Sequence, residues 1–149
     1  VHALAISNSC PLLRISTPDL EFTCFSHHTK DREWALNEFI TNMTIGAKIL
    51  LSPSMERGIN LPDDLCRFII IPKTPFPGLG DKLTKARTYT RNSRWYASQT
   101  AQILEQMCGR GMRHEQDHCK IYCLDSSTEE FILNNGDLFS EHFKSCITF

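Results

Sequence analysis

The chain has 149 residues, 41% of them hydrophobic and 22% charged, with a formal net charge of -1. That length and composition describe one globular domain with enough material for a core, not a disordered segment. The near-neutral charge excludes a globally basic nucleic-acid binder, so any grip on phosphate has to come from a local patch.

The start, Val1-His2-Ala3-Leu4-Ala5-Ile6, has neither an initiator Met nor a basic region ahead of its apolar residues. It reads as the interior of a larger protein, entered inside a strand, and not as a signal peptide. No apolar run approaches the roughly 18 residues of a membrane span, so no membrane partner is expected and the setting is read as intracellular.

Val1 to Ile6 predicts a strand running into a short helix that ends near Leu13. Glu21 to Phe25 predicts a second strand, followed by a polar loop over Ser26-His27-His28-Thr29. From Lys30 the spacing turns helical: Leu36, Phe39, Ile40 and Met43 fall at i, i+3, i+4 and i+7, with Gly46 expected to close the helix. Trp34 on that helix is expected in the core, with a base-stacking platform as the alternative. Lys48 to Ser52 is a third strand. Cys66 to Pro72 is a fourth, and its continuous apolar run Phe68 to Ile71 suits a strand buried on both faces.

Pro75, Pro77 and Gly78 break structure between Thr74 and Gly80. The basic residues Lys82, Lys85, Arg87, Arg91 and Arg94 flank this loop, either steering phosphate or forming a solvated face. A long helix over Arg94 to Cys108 carries Ala97, Ala101, Leu104 and Cys108 on one stripe; Trp95 and Tyr96 are expected to pack it on the sheet, with stacking on nucleic acid as the alternative. Lys120 to Asp125 is a fifth strand. Thr128-Glu129-Glu130 opens a helix with a hydroxyl cap and first-turn acids, and Asn134-Asn135-Gly136 stops it. Leu138 to Phe143 is expected to pack back on the domain.

Strands alternating with helices imply an α/β sandwich with a mostly parallel sheet. Ligands in such sheets gather at the carboxyl ends of strands. The loops after Ser52, after Pro72 and around Gly109 are therefore where chemistry is expected.

The seven cysteines are widely spaced, with no CxxC, and are read as buried thiols in a reducing compartment. His27-His28 is the one histidine cluster and lacks a third ligand at a sensible spacing, so no metal site is expected. Asp63-Asp64 is read as a turn.

Two segments carry candidate chemistry. In Gln106-Met107-Cys108-Gly109-Arg110-Gly111-Met112-Arg113 a helix ends, glycine frees the backbone, and two guanidinium groups project three residues apart. Arginine binds phosphate oxygens through a planar fork that never loses its charge. The plain alternative is a helix stop followed by a solvated basic turn. In the segment Ile49 to Pro62, a buried strand delivers the hydroxyls of Ser52 and Ser54 and then a turn at Gly58. Hydroxyls of this kind can hold a nucleic-acid phosphate without reading sequence, and glycine permits close approach to a ligand. An ordinary Ser/Pro loop is the alternative.

In order along the chain, strand–SPSMxxGIxLPxDLCRFIII, a Pro-rich loop, KxxKAR, and the helix WYxxQTAxxLxQxxGRGxR resemble the second motor lobe of XPD/DinG-type superfamily 2 helicases, over nearly the whole chain. Gly58 and its neighbours look like motif V, Gln106 to Arg113 like motif VI, and Val1-His2-Ala3 like the close of the motif IV strand. The resemblance implies a RecA-like three-layer sandwich that clamps ATP and Mg2+ against a first lobe of the same parent. That first lobe would hold the phosphate-binding loop and, in some members, an iron–sulfur cluster.

It further implies that Arg113 and Arg110 meet the β- and γ-phosphates, with Arg113 as the finger and Gln106 orienting the motif. Gly58, Asn60 and Gly109 border the nucleotide. Ser52, Ser54 and Met55 lie toward a single-stranded DNA track (RNA not excluded), with Ser26 and His27 beside it. Three positions depart from the family pattern. Arg57 stands where Glu is usual, Asn60 where Asp is usual, and Cys119 where a small residue, often Gly, is usual. The chain has no Gly-Lys dipeptide to form a phosphate loop, so hydrolysis is expected only in the intact parent. A non-catalytic relative that binds nucleic acid or acts as a scaffold is the other reading.

Overall fold

The computed structural model describes residues 2–6, 22–26, 31–43, 46–52, 61, 63–90, 93–111 and 114–148. Five strands form one sheet: β1 (His2–Ile6), β2 (Phe22–Ser26), β3 (Ala47–Ser52), β4 (Phe68–Ile71) and β5 (Lys120–Cys123). Their order is β2-β3-β1-β4-β5 and every pairing among the described residues is parallel, in keeping with the expected mostly parallel sheet. β1 lies at the centre, with β3 on one side and β4 on the other. In β4 the burial alternates: Ile69 and Ile71 are fully buried, Phe68 and Ile70 only partly.

Helix α1 (Arg32–Thr41) sends Ala35 and Phe39 into the core. These lie at i and i+4, one above the other on one face. The expectations for this helix are therefore corrected: Ile40, on the expected stripe, is exposed, and three further points differ. Trp34 is 65% exposed, because it stands about a quarter-turn round from the Ala35–Phe39 face. Met43 lies past the helix end and is 98% exposed. The helix stops at Thr41, with Asn42 as its cap, and not at Gly46. Gly46 has φ 113° and leads into β3, a backbone geometry that favours glycine. The C-terminal carbonyls of α1 are met by a side chain instead. The buried Lys48 donates from Nζ to the Phe39 carbonyl at 2.7 Å and to Asn42 at 3.1 Å. A cation there also complements the helix dipole.

Two helices follow β4. α2 (Lys82–Thr90) is an element the sequence reading left as flanks of a loop. Asp81 starts it by accepting from the Thr84 amide at 2.8 Å and its hydroxyl at 2.9 Å, an N-cap arrangement written in Asp81-Lys82-Leu83-Thr84. α3 (Ser93–Cys108) buries Thr100, Ala101, Leu104 and Met107. Trp95 and Tyr96 do not serve mainly to seat α3 on the sheet. Tyr96 stacks on Phe76 at 6.0 Å and donates its hydroxyl to the Pro77 carbonyl at 3.0 Å. Trp95 lies under the Arg87 guanidinium at 5.4 Å. These two rings anchor the Pro-rich loop and α2, which amphipathic aromatics do well.

After β5, α4 (Ser126–Asn134) begins two residues earlier than expected, and its cap is Asp125, which accepts from the Ser127 amide at 3.0 Å. Thr128, expected as the cap, is buried and bonds Thr74 at 2.9 Å. The last helix, α5 (Glu141–Ser145), is capped by Ser140. Phe139 is buried and stacked on Phe143, so the final apolar piece does pack back on the domain. The short helix expected to end near Leu13 lies outside the described residues.

Candidate functional site

The carboxyl edge of the sheet carries the ends of β2 and β3. Ser26 ends β2 and pairs in register with Leu51, so it stands beside Ser52, which ends β3. The structure thus brings these two predicted hydroxyl residues to one edge. Ser26 is exposed, whereas Ser52 is only 2% exposed. His27, Ser54, Met55, Gly58 and Asn60 lie outside the described residues. Further along the same edge, Asp125 accepts from the Thr74 amide at 2.9 Å and its hydroxyl at 3.0 Å. Hydrogen bonds from Ser127 and Thr74 hold the Asp125 carboxyl far below the usual carboxylate range. The loop after Pro72 is therefore tied down by a satisfied polar network, which the sequence reading missed.

The opposite, amino edge is where the Gly109 segment lies, and this corrects the expectation of a single active edge. The 3-10 turn Gly109–Gly111 continues α3. A Cβ on Gly111 would stand 2.3 Å from the Cys119 sulfur and 3.5 Å from the Cys66 carbonyl. Cys66 and Cys119 precede β4 and β5. The reason is topological: β4 and β5 are parallel, so the crossover helix between them must run back and deliver its C-terminus to the start of β5. The glycine that the packing demands is also Gly111, and not Gly109, whose Cβ would meet nothing within 4 Å. Gln106 is exposed on α3 and Arg110 is part-buried in the turn; Arg113 lies outside the described residues.

A polar clasp at this edge joins the segments that follow the two motifs. Asp63 comes three residues after Asn60 in sequence, and His114 directly follows Arg113. His114 Nε2 lies 2.9 Å from Asp63 Oδ1. The Asp63 amide donates to Asp117 Oδ2 at 3.3 Å. Asp117 has a fully buried side chain, and its Oδ1 accepts from Arg67 at 3.0 Å and from the His118 amide at 2.9 Å. Arg67 also donates to Asp64 at 2.9 Å and to the His118 carbonyl at 3.1 Å. The bond to Asp64, with the charges of Asp64 and Asp117, raises the guanidinium pKa above its ordinary value. Asp63 itself has φ 55°, an uncommon non-glycine conformation inside the 3-10 turn Asp63–Leu65. Asp63-Asp64 is thus a turn, as read, but one that carries the clasp.

Ligand atoms of Asp63, His114 and Asp117 lie within 4.8 Å of one another, a spacing that the sequence did not suggest for a metal. Asp117, however, already faces the Arg67 cation and two amide donors. The group reads as a charge-compensated clasp, since a metal ion would have to displace or repel that guanidinium.

The six described cysteines are free thiols, and this corrects the expectation that they are buried. Cys66 is buried and Cys108 and Cys119 are partly so, while Cys24, Cys123 and Cys146 are exposed. Burial pushes the Cys108 thiol pKa far up.

A parallel sheet with β1 central, covered by crossover helices and carrying its candidate chemistry on loops at the strand ends, is a RecA-like α/β sandwich. The chain belongs to the helicase C-terminal domain family, whose model matches residues 7–145. It is also 28% identical over 120 residues to a protein of Saccharomyces cerevisiae (strain YJM789) named ATP-dependent DNA helicase CHL1. That similarity covers 66% of this chain and 14% of the yeast protein, so the chain corresponds to a small part of that relative's length. No described helix is long and apolar enough to cross a membrane.

Proposed function

We propose that the chain is the second motor lobe, motifs IV to VI over residues 1–149, of an intracellular ATP-dependent DNA helicase of the XPD/DinG type. In this reading ATP and Mg2+ are held mainly by a first lobe of the same parent, which in some relatives also carries an iron–sulfur cluster. Arg113 reaches the transferring phosphoryl group as the finger, Arg110 supports it, and Gln106 orients the segment. Gly58, Asn60 and Gly109 border the nucleotide. Ser54 and Met55, with Ser52, Ser26 and His27 nearby, face single-stranded DNA, with RNA as the other candidate strand.

The observation that supports this most is the clasp. Asp63 and His114 bond at 2.9 Å, so the chain just past each motif segment is tied to the other at one edge of the sheet. A motor lobe needs its nucleotide-bordering and arginine segments to move as one, because a finger works by position as much as by charge. The yeast relative, a protein named as a DNA helicase, favours DNA as the strand.

The test is single-strand-stimulated ATP hydrolysis by the intact parent, wild type against Arg113→Ala. A working finger predicts a loss of about 10³-fold or more in turnover with nucleotide still bound. The substitutions Arg57 and Asn60 favour a second reading, a nucleic-acid-binding or scaffold relative without turnover. Salt-dependent single-strand binding with no stimulated hydrolysis in the wild type selects that one.

A further inference from the structure

Cys66 and Cys119 sit at the heads of neighbouring parallel strands, β4 and β5, with their sulfurs 3.9 Å apart. A disulfide needs about 2.05 Å between sulfurs, so each would have to move by roughly 1 Å. Cys66 is buried; Cys119 is half-buried and lies toward the surface. Cys119 also touches Gly111, inside the arginine segment. Arg67, the residue between Cys66 and β4, gives its carbonyl to the Lys120 amide at 3.0 Å, which holds the two strand heads in line.

We propose that Cys66 and Cys119 are a reactive dithiol, a modification site for small hydroperoxides, in which Cys119 is attacked first and Cys66 resolves it. The Cys119 thiolate attacks the peroxide O–O bond, giving a sulfenic acid on Cys119 and releasing hydroxide. The Cys66 sulfur then displaces the sulfenic hydroxyl, forming the S–S bond. With one hydrogen peroxide the net reaction converts two thiols to one disulfide and two waters, the peroxide being reduced and the sulfurs oxidised. The division of roles follows exposure: Cys119 can meet a solute, and Cys66 has Cys119 as its near sulfur.

The electrostatics agree with this order. Hydrogen bonding from Cys66, helped by the Arg67 charge, holds the Cys119 thiol below its ordinary pKa. Partial desolvation by neighbouring groups pushes the Cys24 and Cys123 thiols up, exposed though they are. Thiolate, not thiol, is the nucleophile, so Cys119 outruns Cys24 and Cys123 although both are more exposed. The disulfide would bind the heads of β4 and β5 together beneath Gly111, directly under the arginine segment.

The experiment is peroxide titration of the intact parent under native conditions, followed by non-reducing peptide mapping. The expected result is a Cys66–Cys119 crosslinked peptide forming about tenfold faster than oxidation of Cys24 or Cys123, which serve as controls in the same molecule. In Cys66→Ser the crosslink disappears and a 1,3-dione probe traps sulfenic acid on Cys119. If Cys24 or Cys123 oxidises first, or no Cys66–Cys119 peptide forms while the exposed thiols are consumed, the proposal is overturned. The wild-type mapping decides alone if the serine variant does not fold.

Discussion

Asp117→Ala tests whether the clasp behaves as a buried, charge-compensated unit. The Asp117 side chain is fully buried, while that of Arg67 keeps 21% exposure. Truncation leaves three donors without their acceptor: the Arg67 guanidinium at 3.0 Å, the His118 amide at 2.9 Å and the Asp63 amide at 3.3 Å. Breaking one side of a buried ion pair costs about 3–5 kcal/mol, because the surviving charge stays desolvated. Arg67 keeps Asp64 and the His118 carbonyl, and can reach water, so the lower figure applies. About 3 kcal/mol in a domain of this size lowers Tm by roughly 6–12 °C. Urea unfolding of the 149-residue chain at neutral pH, with calorimetry as a second readout, measures it. Asp117→Asn, which keeps the shape and one acceptor oxygen, is expected to lose about half as much. A loss below about 1 kcal/mol for Asp117→Ala, the range of exposed surface pairs, would refute the argument and place Asp117 in contact with water.

Gly111→Ala is expected to destabilise by about 1–3 kcal/mol through overpacking, because its Cβ would stand 2.3 Å from the Cys119 sulfur. Adding Cys119→Gly, which removes the sulfur that the new Cβ would meet, restores most of that loss in the same unfolding assay; additive losses would show that the two do not meet. Lys48→Met leaves the carbonyls of Phe39 and Asn42 without their donor, so a loss of about 1–3 kcal/mol follows, with faster hydrogen exchange confined to the C-terminal turn of α1. Asp125 supplies a pH dependence of known sign. Its pKa is lowered on folding, so the unfolded chain binds more protons in the window below about pH 4, and stability falls as pH drops through it. Asp125→Asn flattens that part of the wild-type curve of urea midpoint against pH, and an unchanged slope would contradict the assignment. Asp81, lowered by its bonds to Thr84, contributes a slope of the same sign that remains in the variant.

Much of the architecture was legible because it rests on local periodicity. The apolar runs at Lys48 to Ser52 and Phe68 to Ile71 marked strands, although β4 turned out to bury Ile69 and Ile71 more fully than Phe68 and Ile70, and the spacing of Ala101, Leu104 and their neighbours marked a helix face. Parallel pairing followed from the alternation of strands and helices. The ordered segments around Gly58 and Gly109-Arg110 carried the family, and the match over residues 7–145 agrees with them. α2 was missed although its cap, Asp81 with Thr84, was in plain view, because Pro75, Pro77 and Gly78 were allowed to extend the loop too far.

Tertiary structure decided what periodicity does not encode: which of several apolar residues on a helix meets the sheet, and which edge of the sheet each loop reaches. Trp34 and Phe39 are equally apolar in sequence, yet only Phe39 is buried, because α1 crosses β2 and β3 at one rotation about its axis. Gly109 and Gly111 are alike in sequence, yet only Gly111 is pressed against a neighbour, because α3 must return to the amino edge before β5 can pair in parallel with β4. The same return carries Asp117 and His114 to Asp63 and Arg67, about fifty residues earlier in the chain. Residue types and spacing along the chain determined the family and the candidate arginines. The clasp and the Cys66–Cys119 pair exist only through contacts between distant segments, which no single stretch of sequence specifies.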